Sequence, residues 1–156
     1  MAIEIERRFL VADDSWRECA ESSERLVQGY ILNSEEKCVR VRVAGESAWI
    51  TVKGGSNALN RLEFEYSIPV DDARTMIDLL CDDRVIDKIR HRIPQGELTW
   101  EVDVFSGANE GLVIAEVELP TAETPFAHPA WLGEEVSQDP RYLNARLLRN
   151  PWPTWC

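Results

Sequence analysis

Hydrophobic and polar residues alternate along most of this chain with a period of two, the pattern of strands that bury one face. In Glu4-Ile5-Glu6-Arg7-Arg8-Phe9 one face carries Glu4, Glu6 and Arg8 and the other Ile5, Arg7 and Phe9, within a strand from about Ile3 to Val11. Further strands follow at about Arg25 to Leu32, where Gln28 and Tyr30 share a face, and at Lys37 to Val43, where Arg40 and Arg42 lie opposite Val39, Val41 and Val43. Trp49 to Lys53 is a fourth, and Arg61, Glu63 and Glu65 share a face of a fifth opposite Leu62, Phe64 and Tyr66. Val85 to Ile93 sets Lys88, Arg90 and Arg92 against Ile89, His91 and Ile93; Leu98 to Phe105 sets Glu101 and Asp103 against Trp100, Val102 and Val104. The last strand, Leu112 to Leu119, carries Glu116 and Glu118 on one face.

Helical spacing is rarer. Ala73, Met76, Ile77 and Leu80 recur at helical intervals behind Asp71, which predicts an N-capped helix through about Cys81 with that stripe in the core. Acidic residues ahead of Trp16 predict a helical turn within 13–19, and Asp139-Pro140 opens a last helix through about Arg149. Between them Thr121 to Pro129 is broken by proline and Trp131-Leu132-Gly133 reads as a packed connection. The aromatic tail around Trp152 and Trp155 leaves two options open, packing on the fold or on a second copy in a homodimer. Eight strands with two or three helices, joined mostly by short turns, make this a mainly β, α+β chain with an antiparallel sheet.

Composition narrows the function. A length of 156 residues fits a single domain, 1–156, and 29% charged with 44% hydrophobic residues is the balance of a folded protein. The net charge of −11 argues against nucleic acid, which needs a basic surface. There is neither a signal-peptide pattern nor an apolar run of membrane-spanning length, so the expected setting is cytoplasmic and without a membrane partner. Cys19, Cys38, Cys81 and Cys156 lack metal-ligand spacing and read as reduced thiols; His91 and His128 leave little room for a histidine-centred site. Gly54-Gly55-Ser56-Asn57 lacks the Gly-Lys-Ser/Thr of a phosphate-cradling loop.

The charged faces carry the chemistry. An ordinary solvated sheet also alternates polar with apolar, but that explains poorly why cations cluster on some strands and carboxylates on others. An eight-stranded antiparallel sheet can close into a barrel whose interior holds side chains or one small ligand. Closed with its charged faces inward and its helices outside, this chain would enclose a polar tunnel. Buried charge costs several kcal/mol per ion, so such an interior needs a ligand. A polyphosphate for the cations, bridged by Mg²⁺ or Mn²⁺ to the carboxylates, meets both demands.

The ordered set Glu4-Ile5-Glu6-Arg7-Arg8, Gln28-Gly29-Tyr30, Arg40-Val41-Arg42, Thr51-Val52-Lys53-Gly54-Gly55, Arg61-Leu62-Glu63-Phe64-Glu65, Lys88-Ile89-Arg90, Glu101-Val102-Asp103-Val104-Phe105 and Glu116-Val117-Glu118 resembles the CYTH domain, or triphosphate tunnel metalloenzyme, family. The tail Trp131-Leu132-Gly133-Glu134-Glu135-Val136 is similar to that of small bacterial members that hydrolyse inorganic triphosphate. The resemblance implies an inorganic triphosphatase. Glu4, Glu6, Asp103, Glu116 and Glu118 would hold the metal, Mg²⁺ or Mn²⁺, and Arg8, Arg40, Arg42, Lys53, Arg61, Lys88 and Arg90 would grip the phosphates. Glu63 and Glu65 would orient basic residues by ion pairing. The family's lysine is Arg8 here, and the two are not interchangeable. With Tyr30 that position is implied in activating water, so Arg8, Tyr30, Lys53 and Lys88 are the candidate catalytic residues. Adenylate cyclase or thiamine-triphosphatase activity, and a non-catalytic polyphosphate- or nucleotide-binding module, are the competing readings.

Overall fold

A computed structural model describes residues 5–34, 36–55, 62–148 and 150–152. Glu4, Arg61, Trp155 and Cys156 lie outside the described residues. The alternating segments form strands β1 (Ile5–Val11), β2 (Ser22–Asn33), β3 (Lys37–Ala44), β4 (Ser47–Gly54), β5 (Leu62–Ile68), β6 (Val85–Gln95), β7 (Leu98–Ser106) and β8 (Val113–Leu119). A ninth, β9 (Leu132–Glu135), falls where the sequence reads as a connection. It is only four residues long and centred on a glycine, too short for alternation to register. It pairs antiparallel with β1, and the Arg7 guanidinium ties it down, Nε donating to Glu135 at 2.9 Å.

The sheet runs β5-β4-β3-β2-β6-β7-β8-β1-β9 with antiparallel neighbours, so the α+β class and its antiparallel sheet are as expected. Closure into an eight-stranded barrel is not. Among the described residues no hydrogen-bonded ladder joins β5 to β9 or β1, and the two edges stay open. The sheet nevertheless curls until side chains from β5 and β1 line one cavity. Register explains why this face is charged, because Glu6 lies opposite Glu118, Arg8 opposite Glu116, Arg90 opposite Asp103 and Lys53 opposite Glu63. Charged neighbours, of opposite sign in three of these four pairs and of like sign in Glu6 and Glu118, thus reach the same side.

The convex face is apolar and covered in two patches. Helix α1 (Val70–Leu80) lays Ala73 and Ile77 on Val41, Val43 and Ala48. Its first residue is Val70 after an extended Pro69, so Asp71 lies inside the first turn, where a carboxylate suits the helix dipole, and not at the cap. The second patch packs Phe9, Trp16, Trp100, Val102 and Val117 with Trp131 of the incoming segment, and Phe9 and Trp131 each meet Trp100 edge-on. Burial of several such side chains, each worth about 1.5–3 kcal/mol, fixes which face turns outward. The packing under α1 leaves no room on β2 at Gly29. A Cβ there would lie 2.6 Å from Cys81 Sγ and 3.2 Å from Ile77 Cγ1. Gly29→Ala is therefore expected to destabilise by about 1–3 kcal/mol, read as a lower thermal midpoint, and Cys81→Ala in the same chain should recover part of it.

The tail closes one end of the concave side. The expected helix from 140 to 149 is instead a 3-10 turn at Pro140–Tyr142, an extended Leu143 (ψ 138°) and a short α2 (Asn144–Leu147). The extended residue interrupts what helical spacing alone would join. Val136, Tyr142, Leu147 and Trp152 pack against inward-facing Tyr30, Ile86, Phe105 and Ile114, making an apolar floor. Trp152 thus packs on its own fold, its backbone N–H donating to Asn109 Oδ1 at 2.9 Å. Cys19, Cys38 and Cys81 are free thiols, and no helix among the described residues is long and apolar enough to cross a membrane.

Candidate active site

A cavity of about 530 Å³ opens on the concave side, lined by Glu6, Arg8, Arg40, Arg42, Lys53, Glu63, Glu65, Arg90, Glu101, Glu116 and Glu118, with Tyr142 and Leu143 from the floor. Of the residues singled out by sequence, Glu6, Arg8, Arg40, Arg42, Lys53, Arg90, Glu116 and Glu118 meet here. Glu4 and Arg61 lie outside the described residues. Tyr30, Lys88 and Asp103 face the same side but lie deeper, buried and not in the lining.

The cavity has a carboxylate wall and a cation wall. On the first, β1, β8 and β7 bring Glu6, Glu118, Glu116 and Glu101 into consecutive register, Glu6 across from Glu118 and Glu116 across from Glu101. Arg8 sits among them, Nε donating to Glu116 and Nη2 to Glu6, each at 3.3 Å. Among the described residues no three of these groups converge as a ready-made metal cluster. Their chemistry is nonetheless all hard oxygen, the donor set that suits Mg²⁺ or Mn²⁺.

On the second wall, β6, β3 and β4 aim Arg90, Arg40, Arg42 and Lys53 inward. Arg90 is held as a fork, Nε and Nη2 donating to the two oxygens of Asp103 at 2.8 and 2.9 Å, with Glu101 3.2 Å from Nη1. Lys88, 1% exposed, places Nζ 2.8 Å from the same Asp103 carboxylate. Asp103 is thereby committed to two cations. Both its oxygens serve the cation wall from behind and it is 1% exposed, an arrangement different from the metal-side placement expected for it. Burial disfavours its ionisation, but Lys88 and Arg90 outweigh burial and hold its pKa at about 2. Burial lowers the Lys88 ammonium, with Asp103 opposing. Lys88 thus stands as a buried partner of Asp103 behind the cavity lining.

Glu63 and Glu65 stand behind basic residues, as the ion-pairing reading expects. Glu65 accepts from Thr51 Oγ1 at 2.8 Å and lies 3.8 Å from Arg40 Nη2, while Glu63 lies 3.9 Å from Lys53 Nζ. Among the described residues Arg40 Nε, a buried donor, has no partner, a costly omission unless a ligand completes it. Arg42 is pushed down to about 10, first by burial and then by the charges of Arg40 and Arg90. Such mutual repulsion marks a place short of negative charge. Tyr30 lies in the apolar floor with its hydroxyl held by Gln28, and burial raises its pKa.

Sequence reading passed over Thr51 and Gln28 as site residues. Both sit two positions from residues it did name, Lys53 and Tyr30, and so on the inward face by parity. That parity was the available signal.

A family model for the CYTH domain matches residues 2–146 of the chain. A protein of Acetivibrio thermocellus named inorganic triphosphatase is 47% identical over 152 residues, spanning 97% of each chain. One of the same name from Nitrosomonas europaea is 35% identical over 152 residues, 92% of this chain and 95% of that one. Among solved structures, the inorganic triphosphatase NE1496 superposes with a TM-score of 0.76 at 31% identity, covering 95% of both chains. A putative adenylate cyclase from Bacillus halodurans, at 19% identity with a TM-score of 0.57 over 78% of this chain and 82% of that one, shares the fold.

Proposed function

The chain belongs to the CYTH domain family, and from that premise we propose that it hydrolyses inorganic triphosphate to pyrophosphate and phosphate with a divalent metal. The observation that supports this most is a cavity divided into a carboxylate wall and a cation wall, with a buried arginine donor that has no partner among the described residues. Glu6, Glu116 and Glu118, with Glu4, would hold the metal, Mg²⁺ or Mn²⁺. Bound there it supplies a Lewis acid that draws charge from the phosphoryl oxygens.

The protein's own groups do the rest. Arg40, Arg42, Arg90 and Lys53 bind the phosphate oxygens and neutralise the charge that gathers on the departing end. Arg90 does so as a fixed fork, because Asp103 prevents its rotation. Phosphoryl transfer needs little covalent help, so positioning and charge neutralisation account for most of its acceleration. Arg61 belongs to the same phosphate-binding set. Lys88 acts through Asp103 and not on the substrate. The work is that of a single domain on a small anion in the cytoplasm, without a nucleic acid or membrane partner; the acidic chain, at −11, offers neither a surface.

Phosphate release from triphosphate, ATP and thiamine triphosphate, each with Mg²⁺, Mn²⁺ or EDTA, tests the proposal. Metal-dependent release from triphosphate is expected, and no release under any metal, with triphosphate still raising the unfolding temperature, would make this a binding module. Arg8 sets a second expectation. Its guanidinium holds two of the carboxylates meant for the metal, whereas a lysine is a single compact charge. Arg8→Lys should therefore raise kcat by about tenfold or less, ~1.4 kcal/mol of barrier, and lower the metal concentration needed; a fall in kcat would assign Arg8 to the phosphates instead.

A further inference from the structure

We propose that Gln28 is a positioning residue of the cavity, its neutral amide aiming the Arg42 guanidinium at the bound anion without cancelling its charge while leaving the Tyr30 hydroxyl its hydrogen to donate. The inference rests on the triphosphate reading of the cavity and adds to it a reason for an amide at this place.

Gln28 is 0% exposed in the middle of β2, directly across from Arg42 on β3. A buried amide must satisfy both its ends. Arg42 Nε donates to Gln28 Oε1 at 3.0 Å, and Gln28 Nε2 donates to the Tyr30 hydroxyl oxygen at 3.1 Å. Chemistry forces this orientation. A guanidinium has donors alone, so the amide oxygen must face Arg42 and the NH₂ must face Tyr30. The Gln28 bond is taken by a lone pair of the Tyr30 oxygen and does not use the hydroxyl hydrogen.

Neutrality matters because the neighbouring arginines are treated differently. Arg8 pairs with Glu6 and Glu116, Arg40 with Glu65, and Arg90 with Asp103 and Glu101. Arg42, which lines the same cavity, forms no ion pair with a carboxylate among the described residues. Burial and the charges of Arg40 and Arg90 bear on it, with Tyr30 and Glu65 opposing more weakly. Among the described arginines of the cavity, its charge is therefore the one without a carboxylate partner. A glutamate in place of Gln28 would have nearly the same size and would still accept from Arg42 Nε. It would also neutralise Arg42 and turn the Tyr30 hydrogen toward itself.

This difference separates positioning from mere support. In Gln28→Glu the KM for triphosphate should rise by tenfold or more; in Gln28→Met, neutral but without the hydrogen bond, it should rise less. A residue that only fills space and props Arg42 would give the opposite order, with the glutamate nearest to wild type, and that result would overturn the proposal. Thermal unfolding with and without inorganic triphosphate, in EDTA, accompanies the kinetics. Triphosphate should stabilise the wild type most and Gln28→Glu least. Equal stabilisation of all three would overturn this inference alone, and no stabilisation of the wild type would overturn the reading of the cavity and this inference with it. If the glutamate variant does not fold, Gln28→Met decides, because a KM raised about threefold or more at an unchanged unfolding temperature supports positioning and an unchanged KM overturns it.

Discussion

Glu116→Ala is expected to cut triphosphate turnover by about a hundred- to a thousand-fold while the protein unfolds at the same temperature or a higher one. Glu116 faces Arg8 on one side and Glu101 on the other, and Glu118 follows two residues later opposite Glu6. Four carboxylates on adjacent strands repel one another, since like charges directly opposite in a sheet destabilise it. Deleting one relieves that repulsion and, under the proposed function, removes a metal ligand together. Activity and stability should therefore move independently, as they do where a site is held against the preference of the fold. Steady-state phosphate release with a metal titration, beside thermal unfolding, reads both. Wild-type turnover in this variant would remove Glu116 from the metal-holding set.

Asp103→Asn should do the reverse, destabilising by about 3–5 kcal/mol and lowering the thermal midpoint by on the order of 10 °C. The asparagine keeps the shape but leaves Lys88 and Arg90 inside the sheet without the carboxylate that both contact. Uncompensated buried charge is among the costliest single defects. Lys88→Met in the same background should recover much of the loss, because an apolar side chain needs no counter-ion. The wild type should show the same dependence in acid. Asp103 titrates at about 2 in the fold against 3.8 when unperturbed, so the stability it confers is complete above about pH 4 and disappears as pH falls toward 2. Acid unfolding of wild type and variant should converge in that window, and parallel curves would show that Asp103 carries no such role.

Period-two alternation made eight of the nine strands and the sign of each inward face legible, because it reports directly which side of a pleat a residue takes. It also brought Glu6, Arg8, Arg40, Arg42, Lys53, Arg90, Glu116 and Glu118 to one cavity. Depth along the strand axis was not legible. Asp103 and Lys88 have the same parity as Glu101 and Arg90, yet lie farther in, where Phe105 and Ile86 replace charge. Parity cannot separate a residue that meets a ligand from one that holds its neighbour. Nor could it report closure, since a strand such as β5 offers the same alternation whether its outer edge is paired or open. The tail was harder still. Its structure is set by what Tyr142, Leu147 and Trp152 cover on other strands, not by their spacing in sequence.

The apolar floor laid by that tail has a kinetic meaning. Under the proposed function, an anion that reaches Tyr142 and Leu143 meets the apolar cluster of Tyr30, Ile86, Phe105 and Ile114, so it is expected to leave along the path by which it entered. A triphosphate cleaved with its length along that path would leave two fragments in single file. The outer one would depart first, and until the inner one followed, the cavity would be closed to the next substrate.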